Sequence, residues 1–152
     1  MGDIVEWKIK DFKYLNVEEL YGILKLRNEV FIVEKEYIYN DLDEKDINAF
    51  HLYCIENNKV IVALRILKKE SEEKGIYIGR IVVDKSYRGL GLGKQAIEKA
   101  MKFIEYRYGR EIIKVSTQLK SRDFYRSLGF KEASDSYLEQ DIPHIKMIKN
   151  FK

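Results

Sequence analysis

In the middle of the chain, apolar residues either alternate with polar ones or follow one another without a break. This pattern, rich in valine and isoleucine, predicts strands over Phe50–Glu56, Lys59–Lys68 and Ile76–Val83. The Asn57-Asn58 pair between the first two favours a tight turn. Because the connections are short, we expect these strands to form an antiparallel meander.

Three segments carry apolar residues at helical spacing and have capping residues at their ends. Asn16 followed by Glu19 is typical of a capping box, and Gly109 and Gly129 are typical helix stops. The predicted helices are the segment from Asn16 to Tyr37, the segment from Leu92 to Tyr108, and a short segment from Ser121 to Leu128.

Weaker patterns at the two ends predict the remaining strands. An initial extended segment contains Trp7, Ile9 and Phe12 and ends near Tyr14. A fifth strand runs from Glu111 to Gln118, parallel to Ile76–Val83 because a helix connects the two. The last two strands begin at Phe130 and at His144, separated by a polar stretch that contains Pro143.

Residues 37–48 lose all periodicity and concentrate acidic side chains, which predicts a surface loop. Alternating oxygen ligands make calcium an alternative. An EF-hand loop, however, needs a glycine at its sixth position and a glutamate at its twelfth, and neither is in place. We expect no metal site.

Length and charge favour one domain, residues 1–152, that acts on small molecules. The 28 basic and 25 acidic residues are interspersed and give a net charge of +3, so no basic block suggests nucleic acid or a membrane surface. The N-terminal residues alternate charged and apolar side chains, so neither a signal peptide nor a membrane span is expected. The single cysteine, Cys54, has apolar neighbours, which predicts a buried, inert thiol in a cytoplasmic protein.

A glycine-rich loop lies between the strand Ile76–Val83 and the helix from Leu92. Glycines at the start of a helix expose backbone N–H groups and the positive end of the helix dipole, which together bind phosphate. The spacing does not fit a nucleotide P-loop and fits a dinucleotide fingerprint poorly. It fits R-x-x-G-x-G, with Arg88, Gly91 and Gly93. A tight turn with surplus glycines is the structural alternative.

A second motif, F-Y-x-x-x-G-F, follows the loop and includes Phe124, Tyr125, Gly129 and Phe130. Together the two motifs resemble the GNAT superfamily of acyl-CoA-dependent N-acetyltransferases. Further segments resemble its ElaA-like branch: the sequence from Leu26 to Lys35, His51 ahead of a strand, I-G-R-I-V-V at residues 78–83, and I-P-H-I-K-M at residues 142–147. Ile38-Tyr39 departs from the Cys-Pro-Tyr that is usual in that branch.

The resemblance implies an α/β (α+β) GNAT fold. Its sheet is mixed and mostly antiparallel, with about six or seven strands that splay apart at the centre, flanked by about four helices. The implied function is direct transfer of an acetyl group from acetyl-CoA to a primary amine of a small molecule or peptide. The expected partners are acetyl-CoA and this acceptor, without nucleic acid or membrane, and homodimerisation is left open. A non-catalytic acyl-CoA-binding or regulatory module is the alternative function.

The resemblance also assigns site residues. Tyr125 is the proton donor to the departing thiolate, and a backbone N–H near Val82 stabilises the oxyanion. Gln118 stands where many members place an asparagine that binds the pantetheine arm. The implied cofactor-binding residues are Ile81, Val82, Val83, Arg88, Gly89, Leu90, Gly91, Leu92, Gly93, Lys94, Gln118 and Tyr125.

The general base is the open question, because Arg80 stands where many GNAT enzymes carry a glutamate. Glu34, His51 and His144 are the candidates, and each has a structural alternative on a helix surface, at a strand entry or in a turn. His144 is preferred because an imidazole titrates near neutral pH. Proton transfer through water is the alternative. The predicted catalytic set is therefore Tyr125, His144 and Glu34.

Overall fold

The computed structural model describes residues 5–150. Eight strands and three α-helices occur within this range, close to the numbers that the sequence predicts. In chain order they are β1 (Val5–Asp11), α1 (Val17–Arg27), β2 (Ala49–Glu56), β3 (Lys59–Leu67), β4 (Ile76–Val83), α2 (Leu92–Tyr108), β5 (Ile113–Gln118), α3 (Arg122–Ser127), β6 (Lys131–Glu132), β7 (Tyr137–Glu139) and β8 (Ile142–Lys149). A π-helical segment, Asn28–Glu34, continues α1.

The strands form one mixed sheet in the order β1-β2-β3-β4-β5-β8-β6, and β7 pairs with the first half of β8. All pairs are antiparallel except β4 with β5, which run parallel because α2 connects them across one face. The meander β2–β3–β4 is confirmed, and Asn57 and Asn58 take the positive φ angles of its tight turn.

Helices cover both faces of the sheet and divide the core in two. On one face, Ile23 and Leu26 of α1 pack against Tyr53, Ala63 and Val82. On the other face, α2 and α3 pack against the alternate residues of the same strands: Leu52, Cys54, Val62, Leu64 and Ile78. Burial on both faces explains why β2 and β3 read as nearly unbroken apolar runs.

The sheet opens between β4 and β5. These strands pair only at Ile76 with Ile113 and at Tyr77 with Lys114, and the register ends there. Beyond this point β4 carries a bulge against β3, with Arg80 at a φ of 50°. The predicted splay is therefore confirmed, and it leaves a cleft between the C-terminal halves of the two parallel strands.

Several boundaries differ from the prediction. The first strand ends at Asp11 rather than near Tyr14, because a 3₁₀ turn follows it. The polar stretch before β8 contains the unpredicted strand β7, and Ser121 precedes α3 without a side-chain capping bond. The capping box of Asn16 and Glu19, the bounds of α2 and the Gly109 stop agree with the prediction. Among the described residues, no helix is both long and apolar enough to span a membrane.

Candidate active site

The cleft between β4 and β5 has a volume of about 750 Å³. Its walls come from the end of the π-helical segment, the loop before β2, the bulge of β4, the end of β5, α3 and the β7–β8 hairpin. Tyr125, Gln118, His144 and Ile81, which are four of the predicted site residues, line this cleft. The fold thus brings together residues that lie far apart in the sequence.

The glycine loop ends at the N-terminus of α2. Gly89 and Gly91 have φ angles of 80° and 77°, and a Cβ atom at either position would meet no atom within 4 Å beyond the adjoining backbone. Gly91 occupies the N-cap, so no side chain there caps the helix, and the first turn contains no acidic residue. Exposed N–H groups, open space and the positive end of a 17-residue helix meet at this loop. An anionic group of a ligand fits there.

The other predicted loop residues divide into exposed and packed positions. Leu90 and Lys94 are exposed, whereas Leu92 packs against the main core. A Cβ at Gly93 would lie 3.6 Å from the Phe124 ring, so this glycine brings α2 close to α3.

The backbone of β4 corrects one prediction. The N–H of Asp84 donates to the carbonyl of Ile61 on β3 at 2.8 Å. Because successive N–H groups of a strand point to opposite sides, the N–H of Val82 also faces β3, and those of Ile81 and Val83 face the cleft. Val82 is therefore not positioned to stabilise an oxyanion or to pair with a pantetheine amide.

Glu34 binds Arg88 instead of lying beside Tyr125. The Arg88 guanidinium donates to both carboxylate oxygens of Glu34, at 2.5 and 2.8 Å, and Nε donates to the Val83 carbonyl at 3.2 Å. Hydrogen bonding to Arg88 holds the pKa of Glu34 below its ordinary value. A bound carboxylate with a low pKa is a poor proton acceptor, so Glu34 is not supported as the base.

Lys35 was missed by the sequence analysis. It lines the cleft, with Nζ 5.8 Å from the centre of the Phe31 ring and 5.9 Å from that of Tyr37. Burial and the nearby charges of Lys120 and Arg88 lower its pKa. This excess of positive charge provides a second possible binding position for anionic groups of a ligand, in addition to the glycine loop. No sequence motif connects Lys35 with Lys120, since only the fold brings them together.

Tyr125 is buried between two phenylalanines, with ring centres 5.1 Å from Phe124 and 5.5 Å from Phe130. Burial raises the pKa of Tyr125, and a hydrogen bond with Thr117 acts in the opposite direction. The phenol therefore keeps its proton at neutral pH. Beside it, the Gln118 side-chain oxygen accepts a hydrogen bond from the Tyr37 hydroxyl at 2.8 Å.

His144 lies in the β7–β8 hairpin, opposite Gln118 of β5. Its Nδ1 is 2.7 Å from the Ile142 carbonyl, which can only accept, so Nδ1 carries the hydrogen. In the neutral ring Nε2 then holds the lone pair, and this atom lies 3.3 Å from a Glu139 oxygen. The geometry leaves Nε2 free to accept a proton, with a carboxylate in place to stabilise the imidazolium.

His51, the other histidine, is fully buried outside this cleft. Its Nε2 bonds the Asp46 carbonyl at 2.9 Å, and burial lowers its pKa. It is therefore a structural residue. Cys54 is likewise buried, and burial raises the pKa of its thiol to about 11, as expected for an inert cysteine.

Six charged side chains, here called the ionic ring, lie at one side of the cleft, and three of them, Asp43, Arg65 and Arg80, line it. Each arginine contacts two aspartates and each aspartate contacts two arginines, at 2.7 to 3.2 Å. In order around the ring they are Arg27, Asp46, Arg65, Asp43, Arg80 and Asp41. The predicted surface loop is thus wrong in one respect: its three aspartates are bound by arginines, and Asp41 and Asp46 are buried.

Comparison with known proteins identifies the chain. Residues 13–151 match the family described as an acetyltransferase (GNAT) domain. The chain belongs to the GNAT acetyltransferase family. The ElaA-like resemblance is confirmed as well, because ElaA of Escherichia coli is 30% identical over 148 residues, covering 96% of this chain and 97% of that protein.

One further sequence relative and two crystal structures are similar to this chain. A UPF0039 protein of Schizosaccharomyces pombe is 37% identical over 144 residues, covering 94% of this chain and 95% of its own. The crystal structure of Escherichia coli ElaA has a TM-score of 0.90, covering 97% of this chain and 100% of its own. An acyl-CoA N-acyltransferase from Pseudomonas aeruginosa also has a TM-score of 0.90, with 34% identity, covering 96% and 99%.

Replacing Asp46 by asparagine tests the ionic ring of this GNAT protein. Asp46 accepts from Arg27 at 2.7 Å and from Arg65 at 3.1 Å. Burial alone would raise its pKa, but the two arginines bring it below the ordinary 3.8. This stabilisation is present above pH 3.8 and is lost as the pH falls below it. We expect Asp46→Asn to lower the free energy of unfolding at pH 7 by about 3 to 5 kcal/mol.

Urea unfolding between pH 7 and pH 2 measures this effect. The acid-induced loss of stability should be smaller in Asp46→Asn than in the wild type. The exposed Asp135 offers a matched control, since Asp135→Asn should change stability by less than about 0.5 kcal/mol. Equal stabilities of the two variants at pH 7 would contradict the role of the ring.

Proposed function

We propose that this GNAT protein transfers an acetyl group from acetyl-CoA directly to a primary amine. The observation that carries the proposal is the convergence of Tyr125 and His144 on one cleft at the splay of β4 and β5. A protonated phenol can serve as the acid of such a transfer, and an imidazole nitrogen with a lone pair can serve as its base. Family membership and the Pseudomonas aeruginosa acyl-CoA N-acyltransferase support the reaction class.

The chain offers matching groups for each part of acetyl-CoA. The N–H groups from Gly89 to Lys94 and the side chain of Arg88 would hold the pyrophosphate, and Lys35 adds positive charge nearby. The cleft-facing N–H groups of Ile81 and Val83 would pair with the pantetheine amides, since the Val83 carbonyl already accepts from Arg88. Bound there, acetyl-CoA supplies an acyl group already activated as a thioester.

Two side chains then move the protons. As the new C–N bond forms and the C–S bond breaks, Nε2 of His144 takes the proton that the amine loses. Tyr125 supplies the proton that the sulfur gains, and it is later reprotonated from solvent. An alkylammonium has a pKa near 10.4, as for lysine, so little free amine is present at neutral pH and a proton acceptor is needed. No covalent acyl-enzyme is required.

An amine panel with detection of the free CoA thiol tests the function as a whole. Acetyl-CoA binding without thiol release for any amine would support the non-catalytic module instead. Release that depends on the amine, with an acetylated product seen by mass spectrometry, would support the transferase.

The first specific expectation concerns the glycine loop. Gly91→Ala should weaken acetyl-CoA binding at least about tenfold, because the added methyl occupies the open space beside the N–H groups. Gly109→Ala is a matched control, since Gly109 has a φ of 86° at the other end of α2. With ψ at −159°, Gly109 is in a region that costs alanine more than the left-handed helical conformation of Gly91 does. Strain alone would therefore affect Gly109→Ala more, and calorimetry should nevertheless show weaker binding only for Gly91→Ala. Equal affinities would remove the loop from the cofactor site.

The second expectation concerns Tyr125. Tyr125→Phe should lower kcat by roughly 100-fold or more, the usual contribution of a positioned acid, and should leave acetyl-CoA affinity nearly unchanged. Tyr77 lines the same cleft, so Tyr77→Phe makes the same chemical change without that role. Single-turnover kinetics measure the chemical step in both. If the two variants behaved alike, Tyr125 would be a packing residue.

The third expectation concerns the base. His144→Gln should lower kcat/KM for the amine by roughly 100-fold or more, and the acid limb of the pH profile should lose the component due to the imidazole. Glu139→Gln removes the carboxylate that faces Nε2, so a smaller decrease is expected. A pH profile unchanged in His144→Gln would assign proton transfer to water.

A further inference from the structure

Arg80 lines the cleft but has no role in the proposed acetyl transfer. It is the residue of the β4 bulge that has a positive φ, a conformation that non-glycine residues adopt rarely, and its side chain lines the cleft. Bulges near active sites redirect side chains. A residue held in this way in the same cleft as Tyr125 and His144 is a candidate for contact with a substrate.

The contacts of Arg80 within the ionic ring engage only part of its guanidinium. Nη2 donates to the Asp43 carboxylate at 3.2 Å and to the Asp41 carbonyl at 3.3 Å, and Nε lies 2.9 Å from Asp41 Oδ1 without hydrogen-bond geometry. Nη1 takes no part in these contacts. About a fifth of the side chain remains exposed. Donor capacity is therefore left over on the guanidinium.

The charge of the surrounding wall favours an anion. The ring contains three arginines and three aspartates, so it is neutral in itself. Outside the ring, Lys35 and Lys45 line the same cleft. Lys146 lines it from β8, the strand of His144, and Glu139 lies beside His144. An acceptor that is cationic at its amine matches Glu139, and an anionic group elsewhere on the acceptor matches the other wall.

We propose that Arg80 binds a carboxylate of the acceptor, so that the substrate of this protein is an amine that also bears a carboxylate. The inference rests on the proposed transferase function. A carboxylate is favoured over a phosphate because Asp41 and Asp43 already contact the same guanidinium, and a dianion would be repelled more strongly than a monoanion. The guanidinium fork suits a planar carboxylate.

Pairs of acceptors that differ by one carboxylate test the proposal. Suitable pairs are tyrosine with tyramine, lysine with cadaverine, and 4-aminobutyrate with propylamine; phosphoethanolamine compared with β-alanine tests phosphate. In the wild type, kcat/KM should favour the carboxylated member of at least one pair roughly 10- to 100-fold, the range for one charge-assisted hydrogen bond. Arg80→Gln should abolish the preference, whereas Arg80→Lys should keep part of it.

Two controls separate recognition from stability. Lys35→Gln should lower kcat/KM for both members of a pair by the same factor, because Lys35 is assigned to acetyl-CoA. The double variant Arg80→Gln with Asp41→Asn keeps the ring neutral, and it should lack the preference even if Arg80→Gln alone folds poorly. Activity that falls equally for both members in the Arg80 variants would mean that Arg80 only closes the ring, and the proposal would be wrong.

Calorimetry distinguishes this outcome from failure of the transferase function. The same acceptors are titrated into the protein saturated with CoA, which needs no turnover. Binding of carboxylated amines that depends on Arg80, without acetyl transfer, would support the subsite and contradict the transferase. Transfer to plain amines with no preference for the acid, or a preference for phosphoethanolamine, would contradict the subsite and keep the transferase. Neither binding nor transfer would contradict both.

Discussion

The closed set of ion pairs between three arginines and three aspartates is the constraint on which the geometry of the cleft depends. It connects α1 through Arg27, β3 through Arg65 and β4 through Arg80 to a loop that has no regular structure before its last turn. Buried ion pairs add little net stability, because desolvation offsets their attraction, but an unpaired member is costly. The ring therefore selects one position of the loop over the alternatives, and that position forms one wall of the cleft.

A second constraint is the splay of β4 and β5. Two paired residues fix the start of the parallel strands, and the bulge at Arg80 and the antiparallel partner β8 then direct the strands apart. Along the edge of β4 that faces β5, the backbone of Ile81 and Val83 is therefore not paired with a neighbouring strand. Tyr125 of α3 and His144 of β8 both line the cleft that this separation leaves. The separation of β4 from β5 thus provides both the unpaired backbone and the cleft that the proposed reaction needs.

The sequence predicted the features that depend on neighbouring residues. Periodicity located the meander and α2, capping chemistry located the start of α1, and two motifs located the glycine loop and Tyr125. It did not reveal the partners of Asp41 and Asp46, because Arg27 lies 14 and 19 residues away and only packing brings them together. The sequence could not predict that the Val82 N–H faces β3 either, since the one-residue bulge of β4 shifts the register. Local patterns also do not distinguish a π-helical segment from the α-helix that precedes it.

The ion pair of Glu34 and Arg88 couples the glycine loop to the loop before β2. Glu34 ends the π-helical segment from which the loop before β2 departs, and Arg88 precedes the helix N-terminus on the other side. Any phosphate that binds the Arg88 guanidinium competes there with an internal carboxylate, so its affinity contains the free energy of displacing or sharing Glu34. Linkage is reciprocal. A ligand that stabilises the Glu34–Arg88 contact lowers the affinity for the phosphate by the same factor by which the phosphate weakens that contact. Because the Glu34 carboxylate competes with the phosphate, this cooperativity is negative.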